Sequence, residues 1–292
     1  MKNLLILAFI PFLSYAQNDS IPKTWNYGGD FSLLFSQSAF NNEWQNGGTS
    51  NYAANAIINY DINYSKEKWI WDTKVIADYG ISKNQDQEFL RKTSDRFEIN
   101  SVVGRQIKES NWYFSGLFNS LTQFDRGYTF GEDETTGKEI RALETKFLSP
   151  GFFKFGLGLL WKKSDNLKVN FAPSTLRLIT ADDRFTTTPG YVDGDFFGLD
   201  QGETLRTEFG ASVGAYAKFP LMENIVLENN LNLYSNYLED PQNIDLDYTL
   251  NLNLTVNKYI TTNFTFQAIY DDNAIGAFQI REVLGVGFNY KF

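Results

Sequence analysis

The groups able to do chemistry in this chain of 292 residues are almost all carboxylates and amines, because it contains no His and no Cys. That absence removes much catalysis at once. A Ser-His nucleophile pair needs an imidazole to carry the hydroxyl proton, and zinc sites of the Cys/His type lose their ligands. Paired carboxylates remain. Asp271-Asp272 precedes Asn273, Glu239 adjoins Asp240, and Asp193 and Asp195 flank Gly194. Two carboxylates could serve glycoside hydrolysis only at a set separation across a cleft. Oxygen ligands would suit calcium, yet none of these clusters has the spacing of an EF-hand loop. Solvated loops are the plainer reading, so no catalytic residue, no metal site and no cofactor is assigned, and the chain is not expected to be an enzyme. The glycine pairs Gly156/Gly158 and Gly285/Gly287 lack the third glycine of a dinucleotide loop. They read instead as small positions where strands bend or opposite side chains need room.

A second set of charged residues recurs on one side of alternating segments. It comprises Asp72, Lys74, Asp78, Lys154, Lys162, Arg206, Glu208, Lys218, Glu228, Asp247 and Arg281. Successive side chains of a strand point to opposite faces. In 247–257 (DYTLNLNLTVN), Tyr248, Leu250, Leu252, Leu254 and Val256 share one face, and Asn and Thr fill the other. The same period appears in 52–64 and 205–219. Strands apolar on one face and polar on the other, each 11 to 16 residues long here, exceed the usual soluble strand of about 5–6 residues.

About twelve strands are expected, near 27–37, 51–65, 69–82, 95–107, 112–125, 150–163, 167–180, 204–219, 225–238, 245–257, 260–271 and 279–292. Short turns alternate with longer polar loops, the longest near 126–149 and 181–203. Short periplasmic turns and long extracellular loops are the pattern of a transmembrane outer-membrane antiparallel β-barrel, an all-β fold. Hydrocarbon gives backbone groups no partner, so the sheet must close on itself. Pro173 has no N–H to donate, so a bulge is expected there. Aromatic residues make up 16% of the chain and collect near the expected rims, as interfacial girdles require.

Lys2, the apolar run 4–13 and Ser14-Tyr15-Ala16 read as a cleaved signal peptide over residues 1–16. A short periplasmic segment is expected over 17–26 and the barrel over 27–292. Mean hydropathy is −0.34, which is uninformative for strands that alternate. Net charge is −9, so nucleic acid is excluded as a partner. The last strand alternates through Phe288, Tyr290 and Phe292. It resembles the closing strand of outer-membrane barrels, in which the final Phe is part of the assembly signal read by the barrel-assembly machinery.

Further segments carry a resemblance to a family. They are 40–48 (FNNEWQNGG, with the W-x-x-G-G motif Trp44, Gly47, Gly48), 147–150 (FLSP), 170–173 (NFAP), 235–245 (SNYLEDPQNID) and 269–272 (IYDD). The chain resembles, from about Trp25 to Phe292, a Bacteroidetes outer-membrane family, domain of unknown function 3078. The resemblance implies a barrel and an outer-membrane address, with outer-membrane lipid and lipopolysaccharide as surroundings. It brings no reaction or substrate. The W-x-x-G-G motif reads as a tight turn with an aromatic anchor or as a binding loop.

The leading expectation is a porin-like channel for small polar solutes, its lumen lined by the charged set above. The alternative is a structural barrel that binds an envelope protein partner, such as a secretion or assembly complex. A twelve-strand lumen lies between the filled eight-strand barrel and the open sixteen-strand channel, so an open pore and a filled interior both remain.

Overall fold

A computed structural model describes residues 24–41, 43, 48–274 and 276–292. The residues expected as a signal peptide lie outside this set, as do Trp44 and Gly47. Among the described residues fourteen strands follow one another: β1 Trp25–Ser38, β2 Asn51–Lys66, β3 Trp69–Asn84, β4 Arg91–Gln106, β5 Trp112–Thr122, β6 Gly127–Glu132, β7 Glu139–Thr145, β8 Gly151–Ser164, β9 Leu167–Thr180, β10 Leu205–Met222, β11 Ile225–Asn236, β12 Asp245–Thr255, β13 Ile260–Tyr270 and β14 Gln279–Lys291. A short helix, α1 Asp183–Thr186, interrupts the connection between β9 and β10.

Twelve of these strands form one closed barrel, in the ring order β1-β14-β13-β12-β11-β10-β9-β8-β5-β4-β3-β2. The seam is antiparallel and pairs Asp30 with Lys291 and Phe35 with Val286. Closure leaves no unpaired edge in the lipid. At this seam Gly29 and Phe292 exchange backbone hydrogen bonds of 2.9 and 3.0 Å. A Cβ on Gly29 would lie 2.4 Å from the Asn59 carbonyl and 2.9 Å from the Phe292 ring, so only glycine fits. The Phe292 ring stacks beside Tyr60 at 5.9 Å.

The apolar side of each strand faces outward. Leu157, Leu284, Ile280 and Phe114 are among the most exposed large side chains. So much contiguous apolar surface would be a liability in water and is at rest against acyl chains. Trp69, Trp71, Trp112, Tyr259, Tyr290 and Phe292 stand exposed near the short-turn rim, and Tyr52, Phe124, Tyr237 and Phe278 near the other. Such girdles fix the barrel's height in the bilayer.

The expected bulge at Pro173 is present. The register of β9 slips against both neighbours there, between Leu157 and Leu159 on β8 and between Gly210 and Ser212 on β10. Gly158 permits the close approach, since a Cβ would meet the Phe171 carbonyl at 1.9 Å.

The segment expected as a polar loop at 126–149 is a correction. It contains the β6–β7 hairpin, a separate two-stranded sheet. Glu139 of β7 accepts hydrogen bonds from the backbone N–H groups of Glu88 (2.8 Å) and Phe89 (3.0 Å) and pairs with Arg91. The Arg91 guanidinium lies 3.3 Å from the Phe130 ring centroid. The hairpin is thus fastened to the β3–β4 connection. Polar composition hid it because neither of its faces is buried deeply.

Candidate functional site

Inward-facing positions divide the lumen into two unlike halves. On the periplasmic side lies a cavity of about 450 Å³. Seven carboxylates and seven basic side chains line it, together with twelve asparagines. Of the residues expected to face the lumen, Asp72, Lys74, Asp78, Lys154, Lys218, Glu228 and Arg281 are in this lining. Lys162 lies beside it and donates to Asp72 at 2.7 Å, while Lys168 reaches the same carboxylate at 3.4 Å. Glu228 is held between Lys74 (3.3 Å) and Lys218 (3.6 Å). Because β3 and β11 stand opposite each other in the ring, the Lys74–Glu228 pair crosses the lumen.

Toward the upper end of this cavity, where Asp78, Arg96, Glu98 and Arg281 line it, the side chains close up. Arg96 donates to Asp247 at 2.8 Å and to Glu98 at 2.8 Å, and β4 and β12 are again opposite strands. Arg281 reaches Asp78 at 3.2 Å and also Ser94. Highest of all, Arg177 contacts Glu208 (3.5 Å), Asp271 (3.0 Å) and Asp245. The Arg177 side chain is 6% exposed and that of Glu208 1%. Arg206 then ties Glu208 (2.8 Å) to Glu239 and to the Gly198 carbonyl. So Asp247, Arg206 and Glu208, expected as lumen residues, do face inward, but they lie in a packed layer of ion pairs outside the cavity lining.

The β9–β10 connection folds over that layer. Inward-facing Phe152 and Ile179 pack against its Leu199, Phe196 and Phe197, and Phe185 stacks on Phe196 at 5.0 Å. Asp182 anchors the connection: it pairs with Lys146 and Arg184, and its N–H donates to Ser149 Oγ at 2.9 Å. The Lys146 ammonium, with help from Arg184, holds the Asp182 carboxyl down at about 2. The Phe197 and Gly198 backbones take positive φ values of 51° and 76°, turning the chain back toward Arg206.

The acidic loop pairs separate by role. Glu239, Asp240 and Asp272 come together with Glu208 and Asp245 around a small recess of about 30 Å³. The oxygens of Asp245, Asp271 and Asp272 lie within 4.8 Å of one another. Asp245 and Asp271 serve as counterions to Arg177 and Glu239 to Arg206, whereas Asp272 accepts from the Asn243 amide at 2.6 Å. Asp193 and Asp195 are elsewhere, each accepting a backbone N–H of their own loop, from Gln201 (2.7 Å) and Val192 (2.9 Å). Gly48 of the W-x-x-G-G motif has φ of 116°, with the Phe40 ring against it at 2.7 Å from where a Cβ would stand. Phe288, Tyr290 and Phe292 lie on the outer face.

Arg96, Glu98, Arg177 and Asp245 were absent from the expected lumen set. For Arg177 the bulge is the reason. Asn170 and Ala172 point inward before Pro173, while Thr175, Arg177 and Ile179 point inward after it. The extra residue reverses the parity, so an unbroken period of two assigns Arg177 to the wrong face. Arg96 and Glu98 sit in a segment, 91–96 and onward, where both faces carry polar residues and alternation gives little signal.

The family described as "Protein of unknown function (DUF3078)" matches residues 35–128, under half of the chain. No curated protein matches it. Among solved structures it is similar to the translocator domain of autotransporter NalP from Neisseria meningitidis, at 12% identity and a TM-score of 0.40, over 94% of this chain and 90% of that one. It is similar also to an outer membrane channel from Pseudomonas putida F1, at 8% identity and a TM-score of 0.37, over 96% and 98% of the two chains. A third is the NanC porin, at 10% identity and a TM-score of 0.37, over 89% and 98%. At such distances none of them bears on what this chain does. Strand pairing, an apolar outer wall and a polar interior make the protein a twelve-stranded outer-membrane β-barrel, and its residues 35–128 match the DUF3078 family.

Proposed function

We propose that the barrel is a gated passage for small polar solutes, held shut toward the cell exterior by the Arg177 and Arg96 ion-pair layer and the β9–β10 connection. One observation carries the reading: a polar cavity of about 450 Å³ on the periplasmic side ends beneath long, charged side chains rather than beneath backbone. Buried ion pairs add little stability compared with apolar packing of the same volume. Their presence where the lumen narrows suits a layer that must come apart. Arginine side chains can swing between carboxylates without breaking any strand pairing.

A sealed scaffold that binds an envelope partner is the second reading. It is favoured by the two bridges that cross the lumen, Lys74–Glu228 and Arg96–Asp247. Planar-bilayer recording separates the two. The passage reading expects low conductance from the purified barrel and a clear rise in open probability for the double substitution Arg177→Ala, Arg96→Ala. If the folded variant conducts no better than the bilayer background, the lumen is a filled scaffold.

A further inference from the structure

We infer that the wall formed by β11, β12 and β13 is a binding surface for neutral, polyhydroxylated solutes, such as a small saccharide. This rests on the passage reading for its route but not for its binding chemistry.

The charges of the cavity cancel in number, and the strongest of them are already committed to each other. Asp72 is taken by Lys162 and Lys168, Glu228 by Lys74 and Lys218, and Asp78 by Arg281. A charged solute entering would find no net attraction and would lose hydration. The amide wall differs. Asn253 of β12 stands opposite Asn263 of β13, and Asn251 opposite Thr265. On β11, Asn230 and Asn232 continue the inward face. Part of this wall is internally bonded: Thr265 donates to Asn251 at 2.8 Å, and Thr261 to Asn263 at 3.1 Å. The side chains of Asn230, Asn232 and Asn253 take part in no hydrogen bond among the described residues.

Each unpartnered amide offers two donors and one acceptor oxygen in a plane. A sugar hydroxyl is likewise donor and acceptor. Exchange of water for sugar on such a wall keeps every hydrogen bond and releases no charge from its counterion. The cavity volume lies within the range of small-molecule sites, about 300–1,000 Å³.

Calorimetric titration of the folded barrel tests this, in a detergent without a sugar headgroup. The probes are maltose, glucuronate and glucosamine. Maltose should bind at least tenfold more tightly than either charged sugar. The double substitution Asn230→Ala, Asn253→Ala should weaken maltose about tenfold. Asn253→Asp, which keeps the shape and adds a charge, should turn the preference toward glucosamine. The inference is overturned by absent maltose binding, by charged sugars binding as well as maltose, or by a folded alanine variant that binds like the parent. Because binding is read without transport, saccharide binding in a barrel that never conducts would overturn the passage and leave the site standing.

Discussion

The two halves of the lumen use the same residue types to opposite ends. In the periplasmic half, ion pairs are interspersed with amides and some charges stay wet: Asp61 is 44% exposed and Lys218 42%, although Asp72 is only 8% exposed. In the extracellular half they touch one another and are dry, with Arg177 at 6% and Glu208 at 1%. The lesson is that a polar interior says nothing about openness. Water access depends on how tightly the carboxylates enclose each cation: Lys74 and Glu228 meet across the wet half, whereas Arg177 is surrounded by three carboxylates, and an unpaired charge inside a dry layer is costly.

The contrast can be broken most severely at Arg177. Arg177→Ala leaves Glu208, Asp245 and Asp271 facing one another without their shared cation. A loss of about 3–5 kcal/mol in unfolding free energy is expected, read from denaturant unfolding followed by tryptophan fluorescence. Glu208→Gln keeps the volume but removes one counterion shared by Arg177 and Arg206. It should cost about 1–3 kcal/mol in the same measurement.

A smaller effect concerns the cap. Asp182 lies outside the membrane-spanning strands, and its carboxyl is depressed to about 2 by Lys146 and Arg184. A depressed carboxyl stabilises the folded state above its unfolded value of about 3.9, and this is lost as pH falls through the folded value. Anchoring of 181–204 should therefore be unchanged from neutrality down to about pH 4 and weaken between there and about pH 2. Hydrogen exchange in that segment, against the barrel strands as reference, checks the window. Asp182→Asn should remove the pH dependence.

The smallest effect belongs to the wet half. Asn253→Ala should change unfolding free energy by no more than about 0.5 kcal/mol, as expected of a solvated side chain outside any network. A loss comparable to that of Glu208→Gln would show that the amide wall is structural, and the contrast between the halves would fail.

Much of the fold was legible from alternation. The strand expected at 51–65 is Asn51–Lys66, and the one at 167–180 is Leu167–Thr180. The proline bulge was legible too, because the missing N–H is a local fact. Its consequence lies in the residues beyond it: the extra residue reverses the parity, so plain alternation puts Arg177 on the lipid face. The β6–β7 hairpin was lost because its strands, of 6 and 7 residues, are short and largely exposed on both faces.

What the order of residues determined by itself is the two-faced strand, repeated until closure is the only way to satisfy the backbone in lipid. Side-chain parity is a property of each strand alone. The tertiary structure alone decided which charges meet. Arg96 and Asp247 are 151 residues apart, Lys74 and Glu228 are 154 apart, and Arg281 and Asp78 are 203 apart. Those pairings depend on the register around the whole ring and on which strands end up opposite, and no local pattern encodes either. The division of the lumen into a wet half and a closed half therefore appears only when the barrel is complete.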